Sequence, residues 1–255
     1  MMPALFVGHG SPIYAIEENE FYRHLHDVAK RLPKPKAVLC ISAHWETDGV
    51  FLTASGRPET IHDFYGFPKE LFDVRYPAPG DAALARRAAA LLSQAGADLD
   101  MERGLDHGCW SVLRAMYPGA GVPVVQLSLD RKSPALAHYH LATQLAPLRS
   151  EQVLIVGTGN IVHNLGMIDF RRADGLDWAV RFNEEIKRRI LAGDYEALAA
   201  TETLGPEARL AVPDREHYLP LLYALAVKRE GEKVSFFNDK IVMGSISMTS
   251  VLIGG

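Results

Sequence analysis

The chain has 255 residues, of which 48% are hydrophobic and 23% are charged, and its formal net charge is -4. This composition is that of an ordinary globular protein, and we expect a single domain over residues 1–255. The small negative charge, without a dense run of lysine or arginine, argues against nucleic-acid and anionic-membrane partners and favours a small-molecule ligand.

The N-terminal residues and the cysteines limit the cellular setting. The segment from Met1 to Gly8 carries no basic leader, and no apolar stretch is long enough to span a bilayer. We therefore expect a cytoplasmic protein. Cys40 and Cys109 form no C-x-x-C pair and lie in apolar surroundings. They are expected to be buried packing residues, with neither a disulfide nor a thiolate metal site.

The first part of the chain contains two apolar runs that each lead to a histidine. Pro3 to Val7 predicts a buried strand, and the turn-forming Gly8-His9-Gly10-Ser11-Pro12 follows it. After a helix predicted from Glu20 to Leu32, the run that begins at Ala37 ends in His44-Trp45-Glu46. Ligands of open α/β sheets bind at the carboxyl ends of strands. His9 and His44 are therefore candidates for chemistry, although a loop histidine that only caps a strand is the alternative.

The segment from Thr60 to Pro79 is aromatic and proline-rich without a helical or strand period. A long ordered loop of this kind is uncommon unless it shapes a binding site. Its aromatic side chains either cover a flat ring or simply pack: Phe64, Tyr65, Phe67 and Tyr76. A capped helix is predicted from Asp81 to Ala95. His107 follows a turn and lies near the start of the next helix, where the helix dipole favours a neutral ring.

The rest of the chain continues the alternation of strands and helices, which predicts an α/β fold. The predicted strands are Val122 to Leu129, Val153 to Val156, Val234 to Phe237 and Ile246 to Ile253. The predicted helices are Pro134 to Leu148, Trp178 to Leu191 and Leu221 to Val227. His163 follows one of these strands, and His217 lies in the polar entry to the last helix. Gly157 and Gly159 resemble the start of a dinucleotide fingerprint, but the third glycine is missing, which argues against nucleotide binding.

Half of the ten histidines follow turn or strand-end signals: His9, His44, His107, His163 and His217. Two or three imidazoles with a carboxylate and open positions are typical of a non-haem Fe(II) site or a catalytic Zn site. The candidate carboxylates are Glu46, Asp106 and Glu216. Spacing does not choose among them, and a metal-free histidine base or a purely structural role remains an alternative.

Five motifs together resemble the class III extradiol ring-cleaving dioxygenases, in the DOPA 4,5-dioxygenase branch. They are Gly8-His9-Gly10-Ser11-Pro12, Ser42-Ala43-His44-Trp45-Glu46, Asp106-His107-Gly108-Cys109-Trp110, Gly159-Asn160-Ile161-Val162-His163-Asn164 and Glu216-His217-Tyr218-Leu219-Pro220-Leu221. The resemblance extends over nearly the whole chain. It implies an α/β protein with a central mixed sheet, an active site at the carboxyl ends of the strands, and O₂-dependent opening of a catechol ring.

The resemblance also implies a metal-binding set. His9 and His44 match the two metal-binding histidines, and His217 matches the third metal position. Glu216 is the reserve ligand, because relatives outside this branch use a carboxylate there. The implied cofactor is one divalent metal, Fe(II) for activity, with Zn expected in protein as isolated because Zn stands above Fe(II) in the Irving–Williams order.

Two further histidines match residues that act on the substrate. His163 matches the acid/base residue, and we expect the adjacent Asn164 to fix the tautomer of its ring. His107 matches a histidine that contacts the substrate. The implied partners are a DOPA-like catechol and O₂, and the chain is expected to be a monomer or a homodimer. The rival interpretations are a zinc-dependent hydrolase with the same histidine cluster and a non-catalytic metal-binding protein.

Overall fold

A computed structural model describes residues 1–255, except for the side chain of Glu202. The strands are β1 (Ala4–Gly8), β2 (Ala37–Thr47), β3 (Phe51–Thr53), β4 (Asp98–Asp100), β5 (Val124–Asp130), β6 (Val153–Gly159), β7 (Val234–Phe237), β8 (Ile241–Val242), β9 (Ile246–Ser247) and β10 (Ser250–Ile253). The α-helices are α1 (Glu20–Arg31), α2 (Lys69–Phe72), α3 (Ala82–Leu91), α4 (His107–Met116), α5 (Ala135–Thr143), α6 (Ala146–Ser150), α7 (Asp177–Ala192), α8 (Tyr195–Ala199), α9 (Ala208–Ala211) and α10 (Leu219–Ala226). Short 3₁₀ turns cover Pro12–Ala15, Ser93–Ala95, Leu165–Met167 and Thr201–Thr203.

One eight-stranded mixed sheet organises the chain, in the order β4-β3-β5-β2-β6-β1-β10-β7. The four central strands β5, β2, β6 and β1 are parallel to one another. On one side β10 and β7 add in antiparallel fashion, and on the other side β3 pairs antiparallel with β5. The carboxyl ends of the central strands therefore meet at one edge of the sheet. The prediction of an α/β fold with a central mixed sheet is confirmed.

Both faces of the sheet are buried, because its central strands are apolar at nearly every position. In β1, Ala4 and Phe6 face the cluster formed with α3, α5, α7 and α10, whereas Leu5 and Val7 face the cluster formed with α1 and α4. This alternation is the two-residue period of a strand that is covered on both sides. In the part of the chain that the structure describes, no helix has both the length and the apolar character needed to cross a membrane.

Two predicted elements are divided in the structure. The helix predicted from Pro134 to Leu148 is two helices, α5 and α6, because Pro147 lacks an amide hydrogen and fits only the first turn of a new helix. The strand predicted from Ile246 to Ile253 is also two elements. Its first part pairs with β8 in a small hairpin, and its second part joins the main sheet. Met248 and Thr249 separate the two parts, and the hydroxyl of Ser250, the first residue of β10, accepts a hydrogen bond from the amide of Gly8 at 3.0 Å.

Candidate active site

His9 lies at the edge where the central parallel strands end. It directly follows β1, and its backbone amide donates a hydrogen bond to the carbonyl of Gly159, the last residue of the adjacent strand β6, at 3.2 Å. The ring is buried, with 3% of the residue exposed. The pairing of two parallel strands therefore fixes the position of His9.

His44 lies in an irregular part of β2. The register between β2 and β5 shifts between Ile41 and Glu46, so the backbone around His44 leaves the regular ladder. Bulges of this kind are frequent beside active sites, because they redirect a side chain. The amide of His44 donates to the hydroxyl of Ser42 at 3.2 Å, and this hydroxyl donates to Asp106 at 2.7 Å. A buried polar network therefore supports the displaced backbone.

His217 is held in place from the end of β6. Its carbonyl accepts a hydrogen bond from the amide of Asn160 at 2.8 Å. A Cβ atom on Gly159 would lie 2.1 Å from the same carbonyl oxygen, and one on Gly157 would lie 2.2 Å from the carbonyl oxygen of Pro220. The glycine pair of the sequence therefore allows the entry to α10 to approach β6 closely. These glycines thus have a packing role, which is consistent with the prediction that they do not belong to a dinucleotide-binding motif.

The rings of His9, His44 and His217 converge on one point. The Nε2 atoms of His9 and His44 are 3.1 Å apart, and a ligand atom from each of the three residues lies within 4.8 Å of the others. Burial, and then the positive charge that neighbouring histidines would carry, lowers the pKa of all three rings well below the usual range. At neutral pH the rings are therefore uncharged and offer nitrogen lone pairs, which is the form that binds a metal.

Hydrogen bonding at His217 also suits a metal ligand. Its Nδ1 atom is 2.8 Å from a carboxylate oxygen of Glu216. Its Nε2 atom is buried and has no hydrogen-bond partner among the described residues. Metal-binding histidines commonly contact a carboxylate through the nitrogen that does not face the metal. The three rings could thus hold a metal ion, with Glu216 orienting His217.

His163 stacks on the outer side of this cluster. Its ring is parallel to that of His217, with centroids 3.5 Å apart and an interplanar angle of 9°. Burial lowers the pKa of His163 to about 4, so its ring is neutral as well. We predicted that Asn164 would fix the tautomer of this ring. This prediction is wrong, because the side-chain amide of Asn164 instead donates to the carbonyl of Leu210 at 2.9 Å. The position of His163 is instead fixed by its backbone amide, which donates to the carbonyl of Ala211 at 2.9 Å.

His107 is the first residue of α4 and lies close to His44, with ring centroids 3.9 Å apart. One carboxylate oxygen of Asp63 lies 2.9 Å from the backbone amide of His107 and 3.0 Å from its Nδ1 atom. Burial would raise the pKa of Asp63, but these contacts with His107 outweigh it and lower that pKa to about 2. Asp63 is therefore a carboxylate that orients the ring of His107.

The three carboxylates that the sequence offered have different surroundings. Asp106 faces a buried network, in which it accepts hydrogen bonds from Ser42, from the side chain of Gln126 and from the amide of Cys109. Glu46 and Glu216 line an open polar cleft of about 720 Å³ behind His44 and His217. Of the three, Glu216 alone makes a hydrogen bond to one of the clustered rings among the described residues.

A more apolar cavity of about 340 Å³ lies on the other side of the cluster, and all five histidines line it. The aromatic loop contributes Phe64, Tyr65 and Phe67 to its wall. Tyr76 does not take part. It is buried, with 1% of the residue exposed, and its hydroxyl donates to the carbonyls of Leu113 and Tyr117. For Tyr76 the packing alternative is therefore the correct one.

Some site residues were absent from the sequence prediction. Asp63 could have been identified as a candidate from the sequence, because it is an acidic residue inside the aromatic loop. Phe170 and Met243 also line the cavity, but they belong to segments without a turn or strand-end motif. Only the tertiary fold brings these two segments beside His163.

Comparisons with known proteins agree with this geometry. The family model described as the catalytic LigB subunit of aromatic ring-opening dioxygenase matches residues 3–253. A protein of Escherichia coli strain K12 named 4,5-DOPA dioxygenase extradiol is 44% identical over 99% of this chain and 95% of its own. A protein of Beta vulgaris with the same name is 37% identical over 96% of this chain and 94% of its own.

A solved structure has the same fold. The crystal structure of an uncharacterized protein from Escherichia coli K12 superposes with a TM-score of 0.88 and 39% identity, over 100% of both chains. The whole of this chain thus has the fold of that protein. With the family match over residues 3–253, the chain belongs to the family of catalytic LigB subunits of aromatic ring-opening dioxygenases and is an enzyme of that class.

Proposed function

We propose that this protein is a metal-dependent extradiol dioxygenase that opens the ring of a catechol with O₂. The observation that supports it most strongly is the convergence of His9, His44 and His217, three neutral imidazoles, at the base of an apolar cavity. These three residues would hold one divalent metal, Fe(II) in the active enzyme. The family assignment favours this function over a zinc-dependent hydrolase.

The metal, when bound, would lower the pKa of a catechol hydroxyl that coordinates it and would supply a redox centre for the reaction with O₂. The chain itself provides the surroundings. Phe64 and Ile246 contribute apolar side chains to the wall of the cavity, and with a catechol bound they would limit the access of water to the ring. The relatives named 4,5-DOPA dioxygenase extradiol support a catechol of the DOPA type as substrate.

Two histidines act on the substrate in this proposal. His163 is neutral and lines the same cavity as the metal-binding rings, so it accepts the proton that a catechol hydroxyl loses and returns it during ring opening. His107, oriented by Asp63, accepts a hydrogen bond from a substrate hydroxyl through the ring nitrogen that Asp63 does not contact.

The function is tested by loading the protein with Fe(II) under nitrogen and then measuring its activity towards a catechol in the presence of O₂. We expect one O₂ consumed for each catechol opened, with the absorbance of a ring-opened product, and no turnover in Zn-loaded protein.

Single replacements of His9, His44 and His217 by Ala should sharply reduce metal occupancy. His140→Ala is the matched control, because His140 is exposed on α5. Full metal occupancy in all three site variants would exclude the proposed ligand set, whereas loss in Glu216→Ala but not in His217→Ala would transfer the third position to the carboxylate.

The two remaining histidines are separated by kinetics. His163→Gln should keep metal and catechol binding but slow ring opening by about 10² to 10⁴, the usual contribution of a general acid/base. His107→Gln should mainly weaken catechol affinity. Single-turnover measurements combined with metal titration check both expectations. If His163→Gln loses its metal and His217→Gln keeps it, the roles of these two residues are exchanged.

A further inference from the structure

The backbone of His44 lies where the sheet no longer fixes it. The residue pairs between β2 and β6 end at Ser42, and the register of β2 against β5 shifts between Ile41 and Glu46. Side chains hold this residue instead. The amide of His44 donates to the hydroxyl of Ser42 at 3.2 Å, and its carbonyl accepts a hydrogen bond from the guanidinium of Arg103 at 3.3 Å. The position of His44 therefore depends on what fixes these two side chains.

Both side chains lead to the carboxylate of Asp106. The hydroxyl of Ser42 donates to the Oδ1 atom of Asp106 at 2.7 Å, and the Nη2 atom of Arg103 lies 3.6 Å from its Oδ2 atom. The side-chain amide of Gln126 on β5 also donates to Oδ2, at 2.7 Å. The side chain of Asp106 is fully buried. One buried carboxylate thus supports both the amide and the carbonyl of His44.

The same carboxylate fixes the start of α4. Asp106 is the N-cap of this helix, and its Oδ1 atom accepts a hydrogen bond from the amide of Cys109 at 3.0 Å. His107, the first residue of the helix, directly follows it. The rings of His44 and His107 have their centroids 3.9 Å apart, although they lie on different elements. Asp106 is therefore the residue that joins the backbone supports of these two histidines.

A carboxylate at this position can accept hydrogen bonds that a neutral amide cannot. Both oxygens of an ionised carboxylate are acceptors, whereas an Asn side chain has one acceptor oxygen and one donor group. Burial, and then the nearby charge of Asp63, raises the pKa of Asp106. The hydrogen bonds from Ser42 and Gln126 oppose this rise. Because the three proposed metal ligands are neutral rings, a divalent metal bound by them is favoured by buried carboxylates nearby, and Asp106 supplies such a charge.

We propose that Asp106 is a positioning residue that sets His44 and His107 in their relative positions for metal and catechol binding. It acts on His44 through Ser42 and Arg103, and it acts on His107 as the N-cap of α4. This inference rests on the proposed function for the roles of the two histidines and adds the group that positions both. Asp106 lies outside the cavity that the five histidines line, so it does not contact a substrate bound there.

Exchange of the hydrogen-bonding groups of Asp106 and Gln126 tests the proposal. In Asp106→Asn the new amide group faces a second donor in either orientation, the side-chain amide of Gln126 or the backbone amide of Cys109. We expect the affinity for Zn, measured on metal-free protein by competition with a chromophoric chelator, to fall by about 10- to 100-fold, the usual effect of losing the partner behind a metal ligand. Adding Gln126→Glu returns an acceptor to this contact, keeps the acceptor for the backbone amide of residue 106, and should recover most of the lost affinity.

Catechol binding gives the second measurement, because Asp106 also supports His107. Zn-saturated protein under nitrogen is titrated with 4-methylcatechol by calorimetry, and Asp106→Asn should weaken this binding several-fold. Ser42→Ala breaks only the branch that reaches His44. We therefore expect Ser42→Ala to weaken Zn binding by about tenfold and to leave the catechol affinity of the Zn-saturated protein nearly unchanged.

Ser128→Ala is the matched control for Ser42→Ala. Ser128 is as fully buried as Ser42, and its hydroxyl accepts hydrogen bonds from the hydroxyl of Thr47 and the amide of Phe51, neither of which belongs to the histidine cluster. Its loss should lower the thermal midpoint and leave the Zn affinity unchanged. The two serine variants thus separate a positioning effect from general destabilisation.

Wild-type Zn affinity in folded Asp106→Asn would overturn the inference, as would a Ser42→Ala variant that loses no more Zn affinity than Ser128→Ala. A double variant, Asp106→Asn with Gln126→Glu, that regains the thermal midpoint but not the Zn affinity would overturn it too. If the Fe(II)-loaded enzyme opens no catechol at all, the proposed function fails. The Zn affinities still decide the role of Asp106 in that case, so the two failures are distinguishable.

Discussion

Replacement of Gly159 by Ala is expected to damage the proposed metal site although it replaces none of the proposed ligands. The new Cβ atom would lie 2.1 Å from the carbonyl oxygen of His217. An ordinary contact between carbon and a carbonyl oxygen is about 3.3 Å, so the two segments must separate by about 1 Å. That movement displaces the backbone of His217 and stretches the hydrogen bond from Asn160, now 2.8 Å long.

The steric clash and the stretched hydrogen bond set the expected losses of stability and of rate in Gly159→Ala. Overpacking of a tight contact destabilises a protein by about 1–3 kcal/mol, and a weakened hydrogen bond adds about 1 kcal/mol. A displacement of about 1 Å in a catalytic group lowers a rate by about 10²-fold. We therefore expect Gly159→Ala to remain folded, to bind metal more weakly and to lose about 10²-fold in kcat.

Two matched variants separate displacement of His217 from general destabilisation. Gly157→Ala creates a similar clash, 2.2 Å from the carbonyl oxygen of Pro220, and should lower the thermal midpoint with a smaller effect on metal affinity. Gly119→Ala meets open space and should change neither quantity. Metal titration, oxygen uptake and thermal unfolding give the three readouts. Wild-type metal affinity and turnover in Gly159→Ala would refute the reasoning, as would an equal loss of metal affinity in Gly157→Ala.

Two further predictions concern stability. Arg149→Met should lower the free energy of unfolding by about 3–5 kcal/mol, because it leaves Glu232 and the carbonyls of Met2 and Val227 without their buried partner. In Arg87→Met the loss of the solvent-exposed pair with Glu151 should lower the free energy of unfolding far less. Equal losses of the two variants in urea unfolding would contradict the greater contribution of the buried pair. Metal-free protein should lose stability as the pH falls from about 6.5 to 4, since the unfolded chain binds protons at histidines whose folded pKa is lowered, to about 4 for His163. Urea unfolding at pH 7.5 and pH 5.5 measures this change. A stability that does not fall would show that the folded protein binds protons over this pH range as readily as the unfolded chain, so that the pKa of these rings is not lowered.

The sequence was sufficient to place His9 and His44 together, because both follow apolar runs and the carboxyl ends of parallel strands meet at one edge. Neither periodicity nor spacing could do the same for His217, which enters the site from the start of a helix. Its proximity depends on how closely α10 approaches β6. Gly157 and Gly159 are evident in the sequence, but only the tertiary structure shows that they pack against the backbone at the start of α10.

Other features escaped prediction because they depend on contacts between distant segments. The bulge that redirects His44 arises from the register of β2 against β5, and register is not encoded in the apolar run itself. The pairing of Asp63 with His107 joins residues 44 positions apart. Tyr76 looked like its aromatic neighbours, but its hydroxyl bonds to two carbonyls of the α4 region instead of reaching the cavity.

The histidine cluster is difficult to explain by folding alone. Buried polar atoms normally have hydrogen-bond partners, but His9 Nδ1 and His217 Nε2 have none among the described residues. The neighbouring rings also lower one another's pKa, so the cluster resists protonation. Apolar side chains of similar size would fill the same space at a lower free-energy cost. Because Glu216 contacts the ring of His217 and the bulge in β2 redirects His44, the local structure favours imidazole lone pairs held in fixed positions, which is the requirement of a metal ligand.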